Sequence, residues 1–236
     1  KLMPSDRHQS GIGPATGEMG TVGLWKDKGF QLYRETLEKF VPILAKEGYR
    51  GYFDINCIVE INYIDGEFKK FVRPLEMTNR FGWPTMPLQI ETMRINDLGE
   101  LFHGIATGTM SDFKVSAPYS VCVVIGCPPL PYVSQELADT YSTDMPILFK
   151  DAEERDGIYP GDCYTEAGQW RASGDMGYPA VCAAGAETIE EARHLAYDRV
   201  DNLIVPNKMF RIDIGSLVPQ NLESIKTLLQ FQTELV

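Results

Sequence analysis

Two runs rich in β-branched and aromatic residues dominate the first third of the chain: Gly51-Tyr52-Phe53-Asp54-Ile55-Asn56 and Leu75-Glu76-Met77-Thr78-Asn79-Arg80-Phe81-Gly82, with Asp65-Gly66 between them. Asp-Gly between two such runs is a strong short-range hairpin signal. Each arm carries a carboxylate near the end far from the turn, Asp54 on the outgoing strand and Glu76 on the returning one. Two acids brought together in this way can hold a divalent cation, because hard cations such as Mg²⁺ take oxygen ligands and often bridge carboxylates to phosphate.

Register decides whether those acids meet. Side chains alternate between faces along a strand, so residues directly opposite one another share a face. A two-residue loop at Asp65-Gly66 pairs Ile64 with Glu67 and Asp54 with Met77, which leaves Glu76 on the wrong face. A three-residue loop, or one bulge on the returning arm, shifts the register by one. Both acids then share a face as diagonal neighbours, about 7 to 8 Å apart between backbones. Proline sits in strands at edges or bulges, so the irregularity is predicted near Pro74. By the same parity Thr78 shares the face of Glu76 and Asn79 points away. Either the hydroxyl serves as a poorer neutral ligand, or the strand rotates Asn79 inward. Arg80 lies just beyond, and the plain reading of Glu76 and Arg80 is a strand-end ion pair.

The bulk properties restrict the partners. The chain has 236 residues, 44% hydrophobic and 23% charged, the composition of a globular protein with one or two cores. A net charge of −11, with no cluster of basic residues interleaved with aromatics, argues against a nucleic-acid partner. No apolar run reaches the length of a membrane span, so no membrane partner is expected. Cys57, Cys122, Cys127, Cys163 and Cys182 form no C-x-x-C pair, and their odd number argues against a disulfide framework. A reducing cytoplasm is the expected compartment.

Residues 1 to 29 are rich in Gly, Pro, Ser and Thr and read as loop, whose glycines permit close backbone approach to an anion. From Phe30 to Glu47 an apolar stripe at helical spacing predicts a helix, with a kink or fresh start at Pro42 and a C-cap at Gly48. Residues 86 to 108 read as a strand and then a helix, and His103 on that helix as a surface or packing residue. "YSVCVVIG" (Tyr119 to Gly126) predicts a buried strand, and "CPPLPY" a loop. The acidic stretch Lys150 to Asp156 reads as a solvated face. Thr188 and Glu191 form a capping box for a helix reaching about Leu203, with His194 exposed on it. Arg211 and Asp213 read as a structural ion pair in preference to a substrate contact. In the tail, Leu222, Ile225, Leu228 and Leu229 fall at helical spacing. Such a helix docks on its own domain, on a partner, or on a second copy of the chain.

Taken together, "GYFDI…DGEF…LEMTNRFG" resembles the metal-binding hairpin of ATP-grasp enzymes, in which an acid on one strand is followed by Glu-x-Asn-x-Arg on the next. "GIGPATGEMG" (Gly11 to Gly20) is similar to the "GPNTGGMG" loop of the phosphoribosylamine–glycine ligase family of purine synthesis, "RFGWP" (Arg80 to Pro84) to its "RFGDPE", and "MFRIDIG" (Met209 to Gly215) to its "YRxDIG". These segments occur in the family's order across most of the chain. The resemblance implies an α+β fold: residues 1–114 as the C-terminal lobe of an ATP-grasp domain, an antiparallel sheet with helices, then 115–215 as a small α+β domain, and 216–236 as a helical tail.

It implies an ATP-dependent carboxylate–amine ligase working through an acyl phosphate, with ATP and Mg²⁺ (or Mn²⁺) as cofactors and a small-molecule acid and amine as substrates. Asp54 and Glu76 would hold the metal with Thr78 or Asn79, and Arg80 would be catalytic. Pro14, Thr16, Gly17, Glu18 and Met19 would shape the substrate and phosphate loop. The adenine-binding segment and phosphate lysine would lie in a missing N-terminal half, supplied in cis or trans, with homo-oligomerisation through the tail as a further expectation. Three departures stand out: Ala15 for Asn, Glu18 for Gly, and Trp83-Pro84-Thr85 where the family has Asp-Pro-Glu. They keep open a catalytically incomplete binding or assembly subunit and, third, a stand-alone interaction domain.

Overall fold

A computed structural model of the protein describes residues 17–93, 98–110, 115–128, 130 and 134–230, with the side chains of 228–230 excepted. The chain runs β1 (Gly20–Leu24), α1 (Gln31–Glu35), a 3₁₀ turn (Leu37–Phe40), α2 (Val41–Lys46), β2 (Asp54–Ile64), β3 (Glu67–Thr78), α3 (Thr85–Met93) and α4 (Leu98–Thr107). It continues through β4 (Tyr119–Ile125), α5 (Gln135–Tyr141), β5 (Pro146–Phe149), β6 (Ile158–Pro160), β7 (Cys163–Glu166) and β8 (Gln169–Ala172). Last come β9 (Ala180–Ala186), α6 (Ile189–Asn202), β10 (Leu203–Ile204) and α7 (Val218–Gln230). Contacts divide the chain into two compact units that are not consecutive stretches. The first takes its residues from 1–24, 83–94 and 115–216, and the second from 25–82, 95–114 and 217–236.

In the first unit an antiparallel sheet in the order β1-β4-β9-β6 has two inner strands, YSVCVVI and AVCAAGA, whose continuous apolar runs suit burial on both faces. Alternation sorts their side chains. Cys122, Val124, Val181 and Ala183 pack with Met19 and with Leu88 of α3. Val123, Ile125, Ala180 and Cys182 point the other way, onto Val200 of α6 and onto Ile147, Ala172 and Leu203 of a second sheet, β10-β5-β8-β7. Small residues in β9 let the backbones close in: a Cβ at Gly185 would lie 2.6 Å from the Glu91 carbonyl oxygen.

Half of the predicted capping box at α6 forms: Thr188 caps the helix, while among the described residues no return bond joins the Glu191 side chain to the Thr188 N–H. Thr188 Oγ1 accepts the Glu191 N–H at 3.1 Å, and buried Ile189, Ala192, Ala196 and Val200 follow at helical spacing. His194 is exposed beside Asp198. At the other end the Lys208 ammonium donates to the carbonyls of Val200 and Leu203, satisfying acceptors the helix leaves open. Arg211 and Asp213 form the expected ion pair, at 2.7 Å. Their segment is fastened to α6 by Arg193, which donates to the carbonyls of Ile212 and Ile214, and by Tyr197, which donates to that of Arg211.

One expectation is corrected: Thr85–Met93 forms helix α3, not a strand. Pro87 falls in the first turn, where its missing N–H costs nothing, and the buried positions are 87, 88 and 92, a helical spacing. The periodicity is masked because one buried position is polar. Thr92 Oγ1 donates to the Leu88 carbonyl and lies 2.8 Å from the Ser120 hydroxyl.

In the second unit the stripe from Phe30 is interrupted earlier than predicted, α1 ending at Glu35 where Thr36 leaves helical geometry (φ −120°, ψ −88°); after the 3₁₀ turn α2 makes the predicted fresh start at Val41, with Pro42 in its first turn. Gly48 follows at φ +65°, the left-handed conformation that ends a helix. The tail forms helix α7 and packs on α1 and β2 of this same unit. Among the described residues no helix is long and apolar enough to cross a membrane.

All five cysteines are free. Burial pushes the thiols of Cys122 and Cys182 up to about 12 and that of Cys127 to about 11. Native Cys122 and Cys182 should therefore resist maleimide labelling until the first unit unfolds. Above the ordinary thiol value of 9.0 the unfolded chain releases protons that the folded chain keeps, so stability should fall as the pH rises from 9 towards 12. Denaturation midpoints at about pH 8 and about pH 10.5 check the sign; no fall would contradict it.

Candidate metal and phosphate site

The hairpin turn is the two-residue kind: Asp65 and Gly66 both have positive φ (54° and 87°), and Ile64 pairs with Glu67. Pairing proceeds without a break to Cys57 opposite Pro74, then shifts, so that Asn56 faces Glu76 and Asp54 faces Thr78. Leu75 is the extra residue, a bulge on the returning arm beside Pro74, as predicted. That single residue decides the face. Were Leu75 paired in the ladder, Glu76 would oppose Ile55 and join the apolar side of the hairpin; with Leu75 bulged out, Glu76 shares a face with Asp54.

The result is a rectangle of oxygen-bearing side chains. One diagonal holds the two acids, Asp54 and Glu76, and the other holds the neutral groups Asn56 and Thr78. Asn56 Nδ2 donates to Glu76 Oε1 at 2.8 Å. Further along the same face Glu60 is neutralised by Arg73 at 2.8 Å. Among the described residues no lysine or arginine pairs with Asp54 or Glu76. Also among the described residues, no three His, Cys, Asp or Glu side chains cluster as a metal site. A cation here would draw on the two carboxylates plus neutral oxygens, a donor set that fits a hard cation.

Aromatic packing fixes where the strand ends lie. Phe81, just past β3, stacks on Tyr52, just before β2, at 4.3 Å between ring centroids, and meets Phe102 of α4 at 5.7 Å. Arg80 is exposed and donates to the Phe81 carbonyl at 3.2 Å; no ion pair with Glu76 is found. Asn79 lies beyond the end of β3, exposed in a bend, while Thr78 is the last strand residue.

The glycine-rich loop belongs to the other unit. Pro14 and Thr16 lie outside the described residues. Gly17 and Glu18 are exposed, whereas Met19 is a core residue, 5% exposed. Desolvation by the surrounding protein pushes the Glu18 carboxyl above its ordinary value, opposed by a hydrogen bond from Thr21. Trp83, 45% exposed, lies against Gly161, where a Cβ would come within 3.1 Å of the indole ring. Beside it Asp162 accepts the N–H groups of Met176 and Gly177 and the Ser173 hydroxyl, closing that loop.

Asn56 is the residue that sequence reasoning passed over, although its place two positions from Asp54 already put it on the same face. A second omission is a polar cluster in the first unit. Tyr159 donates to Glu91 at 2.7 Å, Arg199 to the other oxygen of Glu91 at 3.1 Å and to the Ala183 carbonyl, and burial beside Glu91 pushes the tyrosine hydroxyl far upward. It ties α3 to α6 past the edge strand β6, where Gly157 leaves room for the guanidinium.

No protein-family model matches the sequence, and no curated protein does. Solved structures match. The crystal structure of phosphoribosylamine–glycine ligase from Thermotoga maritima aligns with a TM-score of 0.61 at 22% identity, over 87% of this chain and 48% of that one. The biotin carboxylase domain of a thermophilic 2-oxoglutarate carboxylase, bound to bicarbonate, aligns with a TM-score of 0.53 at 13% identity, over 93% and 50%. This chain thus spans about half the length of either. At such identities the likeness concerns the fold. The two neighbours are ATP-grasp enzymes, and the fold of this chain, α+β with antiparallel sheets and helices, is consistent with a lobe of that fold.

Proposed function

We propose that this chain is the metal- and phosphate-facing half of an ATP-dependent carboxylate–amine ligase that works through an acyl phosphate, similar to phosphoribosylamine–glycine ligase. The observation that carries the reading is the bulge at Leu75, which turns Glu76 onto the face of Asp54 at the cost of leaving Leu75 65% exposed. Bulges beside functional sites re-aim side chains in this way. Asp54 and Glu76, with Thr78, are the residues that would hold Mg²⁺ or Mn²⁺, which when bound would neutralise phosphate charge. Arg80, two residues past Thr78, is exposed beyond its one bond to the Phe81 carbonyl and would offer its remaining donors to a transferring phosphoryl group. Gly17 and Glu18, with Pro14, Thr16 and the buried Met19 as the rest of the loop, would border the substrate. Five free thiols suit a reducing cytoplasm. The nucleotide base and a phosphate lysine would come from a further half of the enzyme.

A second reading, an ATP-grasp-like binding or assembly subunit without turnover, is favoured by specific observations. Asn79 lies off the strand, and Trp83-Pro84-Thr85 lacks the two acids of the family motif. The experiment is ADP release by the complete gene product across a panel of small carboxylic acids and amines. Release that requires both an acid and an amine supports the ligase. Nucleotide binding with no release under any pair supports the binding subunit and sinks the ligase.

A further inference from the structure

Resting on the ligase reading, we infer that Asn56 is a further member of the cation site: it orients Glu76 through its amide N–H and offers its amide oxygen as the neutral ligand. The amide orientation is set chemically. An ionised carboxylate only accepts hydrogen bonds, so the group 2.8 Å from Glu76 Oε1 must be Nδ2, and Oδ1 is directed elsewhere. Among the described residues no donor reaches Oδ1. Asn56 thus has one end tied to an acid of the site and the other end open, on the face that Asp54, Glu76 and Thr78 share.

Position strengthens the assignment. Asn56 lies inside β2 and is paired across the ladder, so its backbone is fixed, whereas Asn79 lies in a bend beyond β3. A neutral amide is wanted at such a site because amide and carbonyl oxygens serve hard cations well and add no charge repulsion to a pair of carboxylates. The hairpin supplies that amide from the outgoing strand. Further down the face Arg73 already answers Glu60.

The test uses the full 236-residue chain, with Mg²⁺ and Mn²⁺ themselves as probes. In a ¹⁵N-labelled sample the Asn56 side-chain amide signals should shift on Mg²⁺ titration. Asn56→Ala should weaken Mn²⁺ binding by roughly tenfold or more, read by calorimetry or by the free-Mn²⁺ paramagnetic resonance signal. Asn56→Asp keeps an oxygen at the same reach but loses the N–H that orients Glu76 and adds a charge, so it should recover binding only in part. Thermal unfolding checks that each variant is folded. If Glu76→Gln weakens Mn²⁺ binding while Asn56→Ala leaves it unchanged and the Asn56 amide signals stay still, this inference is overturned and the ligase reading survives. If neither substitution matters, the metal site itself is refuted.

Discussion

On the proposed ligase reading, exchanging Glu76 for glutamine should lower acid- and amine-dependent ADP release by the complete gene product by roughly 10²–10³-fold, the loss expected when a metal that contributes several kcal/mol to the transition state is displaced. Stability should change little. Glutamine keeps an oxygen that can accept the Asn56 N–H, Glu76 is exposed, and the bulge is a property of the backbone. Asp54→Asn should behave in the same way, because Asp54 lies diagonally across the same face and no described lysine or arginine compensates it. The control is Glu60→Gln. That carboxylate is on the same face but is already answered by Arg73, and exposed pairs of this kind are worth about 0–1 kcal/mol. Steady-state rates at saturating Mg²⁺, and again at tenfold higher Mg²⁺, separate the cases: partial recovery of the two acid variants with metal, and none needed for Glu60→Gln. Equal losses in all three would mean that only the net charge of the face matters, and the site would have to be abandoned.

Much of this geometry could be read from parity alone. The turn at Asp65-Gly66, the irregularity beside Pro74 and the common face of Asp54, Glu76 and Thr78 all follow from period-two alternation plus the one residue type that cannot donate to a ladder. Helix ends were equally legible where a side chain or a special φ marks them, as at Pro42, Gly48 and Thr188. What stayed hidden lacks a local signal. Thr85–Met93 was misread because a buried threonine disguised its apolar period. The small sheet of β5, β7, β8 and β10 is made of strands two to four residues long, too short to show any period. The two units are assembled from separated stretches, which composition along the chain does not reveal. Nor does it say which of the adjacent lysines 69 and 70 is buried.

That buried lysine gives the largest expected effect on stability. Lys70 lies on the apolar face of the hairpin, opposite Ile61, with its side chain 0% exposed. Its ammonium is 2.7 Å from Glu35 of α1, which is 10% exposed and also accepts from Gln31 at 2.8 Å. Lys70→Met keeps the length of the stem but leaves the Glu35 carboxylate in a dry setting without its cation. Breaking a buried pair from one side costs about 3–5 kcal/mol. The double change Lys70→Met with Glu35→Leu removes both charges and should recover most of that loss, since well-packed apolar replacements of buried pairs are commonly neutral or stabilising. Trp25 is the tryptophan of this unit, so its fluorescence in a Trp83→Phe, Trp170→Phe background follows the unfolding of the second unit. Urea midpoints for the single and double variants give the coupling directly. A double variant as unstable as the single one would mean that Lys70 acts through its packing and not through its charge. The Lys70 result is independent of the Glu76 result: both side chains project from β3, one to each face, so one substitution should unfold the hairpin unit and the other should silence its chemistry while leaving it folded.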